Sequence, residues 1–390
     1  MTRLLLWCLG RMPIGWLQLV SNKLRFFAAG TGVAFACILV FVQLGMMGSF
    51  SEATRSTYRI LNADVMISAS DCNGLTDGSN VARRRMYQAL AVSGVREAIP
   101  IFVGKTFWLQ ADGTRLELTV VGFDSTRHSF VGPVLEQISV LPLSNHVLLD
   151  ERSRGLRPGQ LANVSANSPL WIEAGHQQLA VAGTFSLGAG FAGDGFMIVS
   201  DQTFLRLFPA RSSAAPNHIL LNVETGSDPE DVAARIAAKL AAEAVQVRSF
   251  SQAIEHDVTY QTTRRPVGLI FGFGVAIGTM VGLVIVYQIL STDVADHLPE
   301  YATFKAMGYK ASFFRSVVME EAVILAVVGF VPALVATLGI YSVMAKATGL
   351  PIAMTWERAI LVLFGTVLSC ALSGIFAMRK LTHADPADLF

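Results

Sequence analysis

The stretch FFAAGTGVAFACILVFVQLGMM, residues 26–47, decides the fold. It carries no charged side chain, and as an α-helix it is long enough to cross about 30 Å of hydrocarbon, which takes roughly 17–25 residues. Three more long apolar stretches, residues 267–290, 317–345 and 359–378, lie together in the C-terminal part of the chain. Between the first and the second lies a polar block, residues 49–266. This one-plus-three order predicts a membrane protein that places one large domain on one face of the bilayer and leaves no room for a second soluble domain on the other.

Composition agrees with that division. Hydrophobic residues make up 52 % and charged residues 15 %, where a soluble domain carries about 25 % charge. The net charge of +1 provides no basic field, so nucleic acid is not an expected partner. Four cysteines do not make a disulfide framework. Cys37 and Cys370 fall inside predicted spans, Cys8 precedes the first, and Cys72 is alone in the polar block.

The basic residues predict the orientation. Arg3, Arg11, Lys23 and Arg25 precede the first span, Lys305, Lys310 and Arg315 lie between the second and third, and Arg379 and Lys380 follow the fourth. With the N-terminus in the cytoplasm all of these fall inside, as the positive-inside rule prefers. The C-terminus then returns to the cytoplasm and the polar block faces out. Arg264 and Arg265 oppose the rule locally, but long translocated domains are largely exempt from it. The first run reads as a retained signal anchor, because it starts late, is long and lacks a clear A-x-A cleavage site. Residues 1–25, rich in Leu and Trp and broken by Pro13, read as a short interfacial helix.

The polar block reads as a folded α+β domain. Residues 64–69 are strand-like and Val81–Val95 has helical spacing. Two β-branched runs, Phe102–Leu109 and Arg115–Phe123, flank Asp112-Gly113, a strong hairpin signal. His218–Val223 and Val245–Arg248 read as strands around an Ala-rich helix that opens at Asp228-Pro229. Residues 124–216, turn-rich with short strands, read as an inserted β subdomain. Ser49–Leu61 and Phe250–Arg265 border the membrane with helical spacing and read as helices that prolong spans one and two outward.

Catalytic constellations are missing. Gly188-Ala189-Gly190-Phe191-Ala192-Gly193 fits G-x-G-x-x-G, but that motif needs a following helix to take a pyrophosphate, and Phe196–Val199 reads as a strand. The phosphate-cradling G-x-x-x-x-G-K-[ST] and the zinc motif H-E-x-x-H do not occur, and the histidines have no metal spacing. No catalytic residue, metal or cofactor is expected in this chain.

Two other patterns stand out. In the second span Gly274, Gly278 and Gly282 share one helix face, where small residues let helix backbones approach. They predict a packing seam, within the chain or across a homodimer. The loop after this span, Pro299-Glu300-Tyr301-Ala302-Thr303-Phe304-Lys305-Ala306-Met307-Gly308-Tyr309, reads as a short helix with Pro at its first position, Glu in its first turn and Gly past its end. Tyr301, Phe304 and Met307 form an apolar edge that suits docking into a partner's groove. Glu320 and Glu321, early in the third span, are read as near enough to the interface to snorkel or to pair with Arg315.

The one-plus-three order, the external α+β block with its insertion and the loop EYATFKAMGY resemble the MacB/FtsX/LolC-type ABC permeases. GWLQLVSNKLR before span one resembles the DevC branch. So do Asn62-Ala63-Asp64-Val65, Val147-Leu148-Leu149-Asp150-Glu151, Phe185-Ser186-Leu187-Gly188 through Asp194-Gly195, and Ala384-Asp385-Pro386-Ala387-Asp388-Leu389-Phe390. The likeness runs along nearly the whole chain.

The resemblance implies an α-helical membrane protein with four transmembrane helices and a large extracytoplasmic α+β domain. Its expected parts are an interfacial helix (1–25), span one (26–48), the periplasmic domain (49–266), span two (267–291), a cytoplasmic loop with the coupling helix (292–316), span three (317–345), a short external loop (346–358), span four (359–378) and a cytoplasmic tail (379–390). It implies a non-enzymatic subunit of the bacterial inner membrane that dimerises and binds two copies of a cytoplasmic ATPase, which holds the ATP and Mg. The coupling helix maps onto Pro299, Glu300, Tyr301, Phe304, Lys305, Met307 and Gly308. By mechanotransmission the external domain would move and drive export of a lipid-like or amphiphilic substrate, with a periplasmic membrane-fusion adaptor and a TolC-like outer-membrane channel. The alternatives are an FtsX-like permease that activates an extracytoplasmic enzyme, and a haem exporter of the same architecture.

Overall fold

In the computed structural model the described residues are 14–188, 190, 193–297, 303, 307–309 and 311–383. They divide into two units. The first comprises residues 1–48, 269–343 and 352–390; the second comprises residues 49–268 and 344–351.

Among the described residues four helices are long and apolar enough to cross a membrane. A short helix α1 (Ile14–Ser21) comes first, followed by α2 (Lys23–Thr57), α7 (Pro266–Asp296), α8 (Ala311–Thr348) and α9 (Trp356–His383). They pack through a cluster that includes Leu19 of α1, Val33 and Phe41 of α2, Leu290 of α7, Leu325 and Phe330 of α8, and Cys370 of α9. The Tyr341 hydroxyl on α8 donates to the Phe41 carbonyl on α2, an interhelical bond of the kind that replaces hydrophobic drive where lipid is the solvent.

The second unit is built on nine strands: β1 (Val65–Ala69), β2 (Val95–Leu109), β3 (Arg115–Phe123), β4 (His146–Asp150), β5 (Leu170–Ala174), β6 (Gln177–Phe185), β7 (Gly195–Ser200), β8 (His218–Val223) and β9 (Val245–Ser249). Its helices are α3 (Arg84–Leu90), α4 (Asp201–Leu207), α5 (Pro229–Lys239) and α6 (Phe250–Thr263). Strands β2, β8, β1 and β9 lie side by side, all antiparallel. With α3 between β1 and β2 and α5 between β8 and β9, this is the ferredoxin-like β-α-β-β-α-β arrangement. Its core joins Val65 and Ile67, Met86, Ile219 and Leu221, and Val232 and Ile236. Helix α5 starts where Asp228 accepts the Glu230 amide at 3.0 Å, with Pro229 at the first position, a favourable helix start.

Between β2 and β8 the chain makes an insertion that closes a ring. Strand β2 pairs with β3, β3 with β7 in parallel, β7 with β4, β4 with β6 in parallel, β6 with β5, and β5 returns to β2 at Trp108–Ala174. Closure removes the unpaired edges that an inserted sheet would expose. The ring takes strands from residues 124–216 and also recruits β3 and the end of β2, which precede them. The β2–β3 hairpin turns at Asp112-Gly113, where Gly113 has φ +84 and Asp112 accepts the Thr114 amide at 2.9 Å. Along β3, Leu116, Leu118 and Val120 enter one buried cluster and Val121 and Phe123 another. Both faces of this strand are covered.

The two membrane-bordering segments differ. Helix α2 runs unbroken from Lys23 to Thr57, followed by a single 3-10 turn, Tyr58–Ile60. Helix α6 instead stops at Thr263, and α7 begins at Pro266. Proline disfavours helical backbone at the residue before it and cannot donate inside a helix, so Pro266 separates two helices where one continuous helix was expected.

Candidate functional site

Three groups of side chains join elements that are distant in the sequence. The first, in the second unit, ties the end of α2 to α6. Ser249 starts α6 with a capping box: its Oγ accepts the Gln252 amide at 3.3 Å and the Gln252 side chain accepts the Ser249 amide at 3.4 Å. This sets the helix so that Glu255 and Asp257 meet Arg55 and Tyr58. Arg55 makes a two-pronged ion pair with Glu255, its Nη2 donating to Oε2 at 3.0 Å. Tyr58 Oη donates to Asp257 Oδ2 at 2.9 Å, and the Tyr58 and Phe250 rings meet edge-on with centroids 5.6 Å apart. Asp257 also accepts from the Leu75 amide at 3.2 Å and from Gln261 at 3.1 Å. Burial pushes the Asp257 carboxyl above the usual range, against the lowering effect of these donors. Exposed Glu255, in contrast, is held low by its bond to Arg55.

The loop that Asp257 grips is also held by His218. His218 is buried, with Nδ1 2.9 Å from Ser68 Oγ and Nε2 2.9 Å from the Leu75 carbonyl. The carbonyl requires a proton on Nε2, so Nδ1 accepts from Ser68. Burial holds this imidazole neutral, its pKa lowered to about 4. Buried Asp150 accepts from the amides of Arg152, Leu187 and Gly188 at 3.1, 3.0 and 2.9 Å. The carboxylate therefore shapes the start of the glycine-rich segment. The chain passes from that segment into β7, a strand, so no helix N-terminus is offered to a nucleotide.

The second group is the glycine seam, in the first unit. A Cβ on Gly282 would lie 3.0 Å from that of Ala36, and one on Gly278 would lie 3.1 Å from Val40. Gly274 faces Gln43. All three glycines thus let α7 approach α2 of the same chain. Beside the seam, α2, α7 and α9 enclose about 240 Å³, lined by apolar and small residues such as Ala36, Gly278, Gly282, Gly365 and Cys370.

The third group lies where α7 ends and α8 begins. Glu321 is 0 % exposed and Asp293 is 4 % exposed. Arg25 of α2 pairs with Asp296 and lies 4.0 Å from Asp293. The Trp16 amide of α1 donates to Glu320 Oε1 at 3.3 Å. A Cβ on Gly15 would lie 2.9 Å from Glu321 Cγ, so a glycine is what lets α1 lie against α8. Arg315, the expected partner of the two glutamates, is exposed and makes no ion pair among the described residues. The arginine that meets the acids of α7 is Arg25, brought by a different helix. An acid in the last turn of one span and acids in the early turns of the next were legible signals for this group, since a short connection sets them at similar depth.

Of the predicted coupling helix, Pro299, Glu300, Tyr301, Phe304 and Lys305 lie outside the described residues. Met307 and Gly308 are exposed. The Met307 amide donates to the Thr303 carbonyl at 3.0 Å, and Gly308 has φ +91, a conformation that glycine adopts at helix ends. Among the described residues no group of three or more His, Cys, Asp or Glu is placed to hold a metal ion.

Residues 269–386 match the FtsX-like permease C-terminal family. Comparison with curated proteins gives no match. Among solved structures the chain is similar to the extracellular domain of the noncanonic ABC-type transporter YknZ from Gram-positive bacteria, at 14 % identity and a TM-score of 0.34 over 48 % of this chain and 98 % of that one. It is also similar to the periplasmic region of MacB from Actinobacillus actinomycetemcomitans, at 12 % identity and a TM-score of 0.33 over 51 % and 95 %. Over residues 269–386, its three-span part, the chain is therefore similar to FtsX-like permease C-terminal domains.

Proposed function

We propose that this chain is the membrane subunit of an ABC exporter, in which a separate cytoplasmic ATPase moves the external domain. The observation that carries this reading is the unbroken helix Lys23–Thr57, 35 residues long, with its far end tied to α6 by Arg55–Glu255 and Tyr58–Asp257. At 1.5 Å per residue it measures about 52 Å, so it crosses about 30 Å of hydrocarbon and still extends well beyond. A hydrogen-bonded rod of that length delivers a displacement from one end to the other.

In this reading both termini are cytoplasmic in the inner membrane, and the ATPase docks on Pro299–Gly308. Two copies of the chain work with two ATPase subunits. The outward apolar stripe on α7, Ile270, Phe273, Ile277, Met280 and Val284, meets lipid or the second copy. The small, apolar lining of the cavity between α2, α7 and α9 suits a mechanical role for the spans better than passage of hydrophilic cargo. The cargo is accordingly lipid-like or amphiphilic, and it is handled outside the spans with an adaptor and an outer-membrane channel.

Co-purification from native membranes tests the assembly, and Phe304→Asp tests the docking. The substituted chain is expected to remain folded and to lose stimulation of the ATPase. Normal co-purification and normal stimulation by the Phe304→Asp chain would overturn the assignment.

A further inference from the structure

Helix α8 runs unbroken from Ala311 to Thr348, 38 residues, or about 57 Å at 1.5 Å per residue. Its last residues group with the external domain: residues 344–351 belong to the second unit, together with residues 49–268. Gly349 finishes the helix there, with a φ of +69, the left-handed conformation common at helix C-termini. The Gly349 amide donates to the Ala345 carbonyl at 3.0 Å. The Thr348 carbonyl is one of the last in the helix, which lack a partner inside it and carry its negative partial charge.

That carbonyl is taken by the inserted ring. Arg154, just after β4, donates from Nε to the Thr348 oxygen at 3.1 Å. A cation that bonds the final carbonyls also complements the helix dipole. The arginine is itself held from behind. Its amide donates to the Asp194 carbonyl at 2.6 Å, and its Nη1 lies 3.7 Å from Asp194 Oδ1. Asp194 Oδ2 accepts the Glu117 amide at 3.0 Å, and the Asp194 amide donates to the Glu117 carbonyl at 2.8 Å. Glu117 belongs to β3. A chain of hydrogen bonds therefore leads from the end of α8 through Arg154 and Asp194 to a strand of the ring. Beside it lies a cleft of about 260 Å³, lined by residues that include Arg152, Leu187, Gly188, Ala345 and Leu350. Apolar packing leaves part of this junction open, so polar groups hold it.

We propose that Arg154 clamps the ring to the end of α8, giving the external domain a second attachment besides the tie between α2 and α6. The two attachments hold different parts. Arg55 and Tyr58 fasten α6, which follows the last strand of the ferredoxin-like sheet, whereas Arg154 fastens the inserted ring. A displacement of α8 is delivered to the ring by this route. That use rests on the proposed function; the clamp itself does not.

The test is hydrogen–deuterium exchange, read by mass spectrometry, on the purified full-length chain in lipid nanodiscs. In Arg154→Ala the amides of residues 344–351 and 151–155 are expected to exchange about three- to tenfold faster, as for loss of one hydrogen bond to a charged group. Those of α6 are expected to stay unchanged. Arg154→Lys, which returns a cation to the helix end, is expected to recover part of the protection. Unchanged exchange at 344–351 in Arg154→Ala, or an equal rise in α6, overturns the clamp. If Arg154→Ala fails to fold, Asp194→Asn takes its place under the same criteria, because it removes the charge that holds the guanidinium. A second arm uses the chain assembled with its ATPase. ATP is expected to alter exchange at 151–155 in the unsubstituted chain, and Arg154→Ala to abolish that change while α6 still responds. A response at 151–155 that persists in Arg154→Ala overturns the route through Arg154. No response to ATP in the unsubstituted chain counts against the proposed function alone, and the first arm still decides the clamp.

Discussion

Tyr58 Oη donates a 2.9 Å hydrogen bond to Asp257 Oδ2, joining residues 199 positions apart. The bond unites the turn that ends α2 with the middle of α6, and both groups are buried. Tyr58→Phe keeps the ring contact with Phe250 and removes only the hydroxyl. The expected loss is about 1–2 kcal/mol of domain stability, read by chemical denaturation. Asp257→Ala is expected to cost more, because the Leu75 amide and the Tyr58 hydroxyl both lose their acceptor.

Arg55 and Glu255 form an exposed pair, so their bond is expected to add less than about 1 kcal/mol to stability. Its role in the proposed function is coupling. Arg55→Glu is expected to leave thermal unfolding nearly unchanged and to lower transport by the assembled complex. Arg55→Glu combined with Glu255→Arg should restore transport. Failure of the double exchange to restore it would remove the pair from the coupling route.

His218 sets an acid limit on the external domain. Its folded-state pKa is lowered to about 4 by burial, against about 6.5 when unfolded. The unfolded chain therefore takes up a proton that the folded chain refuses, and stability falls as pH drops from about 6.5 towards 4. At 1.36 kcal/mol per unit the loss approaches about 3 kcal/mol. Asp150 and Asp257, both raised by burial, act with the opposite sign and lower stability as pH rises through their folded-state values. The His218→Gln difference isolates the histidine. Urea unfolding across this range is expected to show a shallower acid loss for the variant than for the unsubstituted chain.

The seam between Gly282 and Ala36 predicts an intrachain crosslink. In a chain stripped of its native cysteines, Ala36→Cys with Gly282→Cys is expected to oxidise to a monomer of altered mobility. A covalent dimer as the main product would place the seam between copies. Gly282→Leu is expected to force α2 and α7 apart, because a side chain there meets Ala36 at its first carbon. The readout is a lower melting temperature in detergent.

Local order in the chain announces the elements. Hydropathy alone marks the four spans, since a helix in lipid satisfies its own backbone and needs only apolar side chains. Asp112-Gly113 marks the hairpin, since the φ of +84 at Gly113 suits a residue without Cβ. Asp228-Pro229 marks the start of α5. Each of these signals acts within a few residues of itself.

What tertiary structure decided are the meetings between distant residues. Closure of the ring at Trp108–Ala174 depends on the path of six strands, and no residue on β2 or β5 specifies it alone. The glycines at 274, 278 and 282 announce a seam, but any helix with a complementary face could fill it, and the fold selects α2. Glu320 and Glu321 announce acids in an apolar span, yet the group that meets Glu320 is the Trp16 amide of α1, while Arg315 is exposed. Hydropathy places a residue at a depth in the membrane, whereas helix rotation and packing determine what it faces there.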